Sequence, residues 1–157
     1  MEIKLNVSEE IAKELLEKYG EESWKPWRAK NGEYYWVEDL EADFCELYEL
    51  NSKFDNHRYL IGNYHKTEEQ AEQASEINRA KGRLTMKMLE LNEGWTPDWG
   101  NRDQDKYHPY YKHPAKNWET SCNCQNQNLV NYYFSSRELA KQFIKEMKAD
   151  LNLVINI

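Results

Sequence analysis

A chain of 157 residues with a formal net charge of -7 has the size of one domain, and folding at that length buries roughly two-thirds of the unfolded surface, so a core forms without staples. The acidity opposes general affinity for a phosphate backbone, which grows with the number of phosphates neutralised by Lys and Arg. No run approaches the ~20 apolar residues that span a bilayer, so no membrane partner is expected.

The elements read in order as follows. Ile3 to Val7 alternates as a half-buried strand. Ser8 then caps a helix with Glu9 and Glu10 in its first turn and a stop at Gly20. Trp24, Pro26 and Trp27 mark a linker that packs through its indoles. Asn31-Gly32 is a hairpin signal, because a tight primed turn needs positive φ. Tyr34 to Val37, Phe44 to Leu50 and Arg58 to Tyr64 then read as a three-stranded meander. Thr67 and Gln70 have capping-box spacing and open the longest helix, with Ala71, Ala74, Ile77, Leu84, Met88 and Leu91 on its apolar face and Gly94 at its end. Gly82 inside it predicts a kink or close packing. Beyond the irregular Trp95-Thr96-Pro97-Asp98-Trp99-Gly100, Lys106 to Lys112 reads as a strand that Pro109 confines to an edge. Leu129 to Phe134 reads as another strand, and Ser135 with Glu138 opens a helix through Leu139, Phe143, Met147 and Leu151. Leu151 to Ile157 alternates and predicts a last strand.

Leu60-Ile61 with Tyr64, Thr67, Glu69 and Ala71 aligns without gaps to Leu129-Val130 with Tyr133, Ser136, Glu138 and Ala140. Each reads as strand, cap, helix. The fold class is therefore α+β: an N-terminal βα element, then two antiparallel β sections, each followed by an amphipathic helix. It is expected as one domain over 1–157, with sub-lobes 1–94 and 95–157.

Several of these segments also carry a resemblance. Lys25-Pro26-Trp27, Asn31 to Trp36, Arg58 to Tyr64 and Thr67 to Glu72, followed by Trp95 to Trp99, Lys106-Tyr107 and Tyr133 to Ala140, resemble a group of small phage and prophage proteins with a Trp-Thr-Pro-Asp-Trp segment and two strand–capped-helix units. The resemblance covers roughly residues 25 to 150. It implies phage or prophage origin and action in the host cytoplasm, and it brings no reaction and no catalytic residues. The stretch from His108 to Gln127 is more polar than in that group.

Residue patterns rank the functional classes. No Gly-x-Ser-x-Gly, phosphate loop or dinucleotide fingerprint occurs, so the expectation is a protein without enzymatic activity or cofactor. Cys45 sits among Asp43 and Glu46, neighbours that raise a thiol pKa, and reads as a small core residue. Three cysteines, an odd number without framework spacing, and an N-terminus (Met1-Glu2-Ile3-Lys4) that lacks a continuous apolar stretch point to a reducing cytoplasm. His108, His113, Cys122 and Cys124 are zinc-type ligands, but Cys-x-Cys and the histidine positions fit no standard zinc pattern.

Glu38, Asp39, Glu41, Asp43, Glu46 and Glu49 form an acidic run without a basic residue. Alternate strand positions lie about 7 Å apart on one face, near the phosphate step of DNA. The run is thus either a charge array for a basic host protein, such as a restriction or CRISPR nuclease, or an edge strand kept unpaired by charge. Tyr107, Tyr110, Tyr111 and Trp118 interleave with Lys106, Lys112 and Lys116, the composition of a base-stacking patch. The leading expectation is a phage accessory protein that binds a host macromolecule, first of all a protein, to neutralise a defence or redirect a nucleic-acid enzyme. Single-stranded nucleic-acid binding through the second patch is the alternative.

Overall fold

The computed structural model describes residues 26–124 and 132–156, as an α+β protein. The expected strand–helix from Ile3 to Gly20, and Leu129 to Asn131 of an expected strand, lie outside these residues. The chain divides into two compact units, Met1–Ala71 and Glu72–Ile157. The division falls inside the long helix, where the sequence had suggested sub-lobes parting after Gly94.

In the N-terminal unit β1 (Tyr34–Glu38) pairs antiparallel with β2 (Phe44–Tyr48), Trp36 opposite Glu46. Alternation sends Tyr35 and Val37 inward with Cys45 and Leu47, where they meet Ala29, Tyr59 and Tyr64. Asn31-Gly32 forms a turn with Gly32 at φ +87. It precedes the hairpin rather than closing it: Gly32 N–H donates to Glu49 O at 2.7 Å, and the loop joining the strands runs through Asp39 to Asp43.

The expected third strand of the meander is absent: Arg58 to Leu60 are the last residues of a helix, α1 (Lys53–Leu60), and Ile61 and Gly62 form a turn. A capping box decides this. Ser52 Oγ accepts from Asp55 N–H at 3.2 Å while Asp55 Oδ2 accepts from Ser52 N–H at 2.9 Å. The apolar run Leu60-Ile61 that suggested a strand stays exposed. Beyond the helix, His65 makes an isolated bridge to β1, through two hydrogen bonds to Trp36 of 2.8 and 2.9 Å.

Helix α2 (Glu68–Asn92) opens at Thr67, whose Oγ1 accepts from Gln70 N–H at 3.3 Å. The Gln70 side chain reaches back to Lys66 N–H, one residue before the cap. A Cβ at Gly82 would meet nothing within 4 Å, so the close packing expected there is absent.

The C-terminal unit holds β3 (Lys106–Lys112), a 3-10 turn (His113–Ala115) and β4 (Asn117–Asn123), paired with Tyr107 opposite Cys122. Tyr107 turns its backbone the other way, to Phe134, with bonds of 3.0 and 2.8 Å. Pro109, two residues on, turns the same way, so its missing N–H costs β3–β4 nothing. Helix α3 (Arg137–Glu146) is capped by Ser136, one residue after the expected Ser135, through Leu139 N–H at 3.2 Å. The expected final strand is instead α4 (Lys148–Val154). Met147, Leu151 and Val154 continue the helical spacing of Phe143 and join the core of Leu84, Phe134, Phe143 and Leu151.

Candidate interaction surface

The outward face of β1–β2 carries Tyr34, Trp36 and Glu38 against Tyr48, Glu46 and Phe44. Tyr34 and Tyr48 lie directly opposite, with ring centroids 4.1 Å apart and hydroxyls hydrogen-bonded to each other, yet both are about half exposed. Glu46 is exposed, as are Asp39, Leu40, Glu41 and Asp43 in the loop, and Leu50 and Phe54 beside the strands. No Lys, Arg or His occurs between Asn31 and Ser52. Aromatic rings interspersed with carboxylates therefore share one surface.

The loop is held by Asp39, whose Oδ1 accepts from Glu41 N–H at 2.8 Å and Asp43 N–H at 3.0 Å. Glu38 is half-buried, and Asn63 clamps its backbone by bonds of 2.8 and 2.7 Å. Glu41, Asp43 and Glu46 are exposed.

Glu49 leaves the acidic surface altogether, which corrects its expected place there. It shares strand parity with Cys45 and Leu47 and is fully buried. Its Oε2 accepts from Arg28 Nε at 2.9 Å and from Tyr64 O–H at 2.7 Å, and Oε1 accepts from Asn51 N–H at 2.6 Å. Burial pushes this carboxyl up, and the donors from Arg28, Tyr64 and Asn51 outweigh it and hold the pKa below the ordinary value. Nor do the six carboxylates form one regular row. Glu38 and Glu46 face outward from the strands, Asp39, Glu41 and Asp43 belong to the loop, and Glu49 faces in.

Asp55 supports the same hairpin from below. It accepts from Tyr35 O–H at 2.6 Å and from Leu50 N–H at 3.1 Å. Burial again opposes ionisation, but Tyr35, Ser52 and Leu50 overcome it and hold Asp55 at about 2. Burial and that carboxylate push Tyr35 up to about 12. Sequence reading missed Asp55, although Ser52-Lys53-Phe54-Asp55 spells a capping signal.

The basic-aromatic patch is split. Lys106 is fully buried, its Nζ donating to the carbonyls of Gln104 at 2.7 Å and Asn101 at 3.1 Å, so it is not a phosphate contact. Lys112 pairs with Glu119 at 3.3 Å. Lys116 is exposed at left-handed φ after the 3-10 turn. Tyr107 packs on the core, and Trp118 joins it while donating to Asn152 Oδ1 at 2.7 Å. Tyr110, Tyr111 and Trp118 do come together, around a cavity of about 320 Å3 that His108, Tyr132 and Leu151 also line. His108 Nδ1 is buried with no hydrogen-bond partner among the described residues, and burial pushes that imidazole's pKa down.

The four weak metal candidates also separate. His108 pairs with Ser121 and so faces away from Cys122, while His113 lies in the turn at the far end of the hairpin. Cys122 and Cys124 share a face with Asp105, which sequence reading did not include. Cys45 packs against the N-terminal core as expected.

Among the described residues no helix is long and apolar enough to cross a membrane. No family model, curated protein or solved structure matches the chain.

Proposed function

We propose that this chain is a non-enzymatic binding protein that docks a basic partner protein on the outer face of β1–β2. The observation that carries the reading is the exposed Tyr34–Tyr48 pair beside Glu46 and the Glu41–Asp43 loop, on a segment without basic residues. Tyr and Trp are enriched where proteins meet, because they give large contact area with a polar tip. Carboxylates around them select a partner rich in Lys and Arg and speed encounter with it. Proteins that handle nucleic acids present such surfaces. With the phage origin implied by the resemblance, the partner is a host protein of that kind, and blocking a restriction or CRISPR nuclease is the biological role this chemistry serves.

Affinity capture from host lysate after nuclease digestion tests this with three baits. The wild-type chain retains a host protein, whereas Tyr34→Ala/Tyr48→Ala and Glu41→Gln/Asp43→Asn/Glu46→Gln each lose it. Equal retention by all three baits refutes the surface.

A second reading rests on the cavity between Tyr110, Tyr111 and Trp118, which has room for a flat ring. Single-stranded nucleic acid would place a base there. Because Lys106 is buried and Lys112 is paired, such binding would show a shallow salt dependence. Tyr111→Ala would abolish it.

A further inference from the structure

The open end of the β3–β4 hairpin gathers a ligand set that the chain order conceals. Lys106 pairs with Asn123 and Tyr107 with Cys122. The antiparallel register therefore sets Asp105 opposite Cys124, and alternation turns Asp105, Tyr107, Cys122 and Cys124 to one face. One carboxylate oxygen and the two sulfurs all lie within 4.8 Å of one another. Cys124 Sγ and Asp105 Oδ1 are 3.4 Å apart, comparable to the edge of a tetrahedron with ~2.0–2.3 Å metal–ligand bonds. Tyr107 O–H donates to the other carboxylate oxygen, Oδ2, at 3.1 Å. It thereby orients Asp105 as an outer partner orients a ligand.

Charge points the same way. Two thiolates and a carboxylate carry three negative charges, and the buried Lys106 ammonium stands behind them with Nζ 3.5 Å from Cys124 O. A divalent cation brings this group of five to neutrality.

We propose that Asp105, Cys122 and Cys124 bind a thiophilic divalent metal ion of the zinc type. Two sulfurs select against magnesium and calcium, which take oxygen ligands. Three protein ligands leave one tetrahedral position, and the exposure of Asp105 places it toward solvent. The site ties the 101–105 segment to the end of β4, where Lys106 already bonds the carbonyls of Asn101, Gln104 and Cys124.

The test is titration of the reduced, metal-free full chain with cobalt(II) alone. One equivalent should produce the near-ultraviolet thiolate-to-cobalt charge-transfer band and the visible bands of tetrahedral cobalt, and zinc should bleach both. Cys122→Ser and Cys124→Ser should each strip charge-transfer intensity, Asp105→Asn should weaken binding about tenfold or more, and His108→Gln and His113→Gln should change neither. No charge-transfer band in the wild-type chain overturns the proposal, whatever the variants do. So does a band that survives loss of both thiols, unchanged affinity in Asp105→Asn, or loss of the band in either histidine variant.

Discussion

In the N-terminal unit the first hairpin strand turns Tyr35 inward onto the carboxylate of Asp55, whereas in the C-terminal unit the matching position is Lys106, turned inward onto backbone carbonyls. The match follows from the single bridges that Trp36 and Tyr107 make to His65 and Phe134. Around them the plan repeats. Trp27 packs on Tyr64 at 5.7 Å and Trp99 on Tyr133 at 4.9 Å. Thr67 and Ser136 cap the helices that follow, and Ala71 and Ala140 are buried one turn in. What fills the plan differs. One unit closes around Glu49, Asp55 and Tyr64 with few aliphatic side chains, the other around Leu84, Phe134, Phe143 and Leu151. A short hairpin with one bridging residue and a capped helix is thus indifferent to whether its interior is held by buried polar networks or by apolar packing.

Four tests probe that contrast, from the largest expected effect to the smallest. Phe143→Ala removes a fully buried ring from the apolar core and should cost about 3–5 kcal/mol in denaturant unfolding. Hydrogen exchange should show the loss in β3 and β4 before β1 and β2; equal loss in both hairpins would dissolve the distinction between the interiors.

Arg28→Met leaves the Glu49 carboxylate buried with only Tyr64 and the Asn51 N–H. A cost of roughly 2–3 kcal/mol follows from stranding the buried carboxylate of a half-buried pair. Pairing it with Glu49→Leu should recover most of that cost, and no recovery would mean that the loss does not come from the stranded carboxylate.

Acid should separate the units as well. Asp55 titrates at about 2, below its ordinary 3.8, so its ionised form favours the fold. That contribution, about 2 kcal/mol, is full above roughly pH 4 and is lost as pH falls through about 2. Stability measured over this window should flatten in Asp55→Asn. An unchanged slope would remove Asp55 from the acid response.

The smallest effect tests the repeat itself. Thr67→Ala and Ser136→Ala each delete a hydroxyl that accepts from the third helical N–H, and each should cost about 1 kcal/mol. Costs that differ by more than a factor of two would mark the caps as unequal parts of the plan.

The sequence by itself determined what local chemistry specifies. The strand type of Tyr34 to Val37, the edge role of Pro109, the cap at Thr67 and the gapless match between the two units follow from side-chain shape, proline's missing donor and the spacing that a helix start requires. Local chemistry also carried signals that stronger patterns masked. Ser52 to Asp55 reads as a cap once the apolar run Leu60-Ile61 is discounted, and the parity of Glu49 with Cys45 and Leu47 places it inside. Tertiary structure alone decided the rest. Which carboxylate meets Arg28, which lysine is buried, and that Asp105 lies against Cys122 and Cys124 depend on how the hairpins close, and closure brings side chains 17 to 21 positions apart into contact through backbone pairing that leaves no mark on composition or spacing.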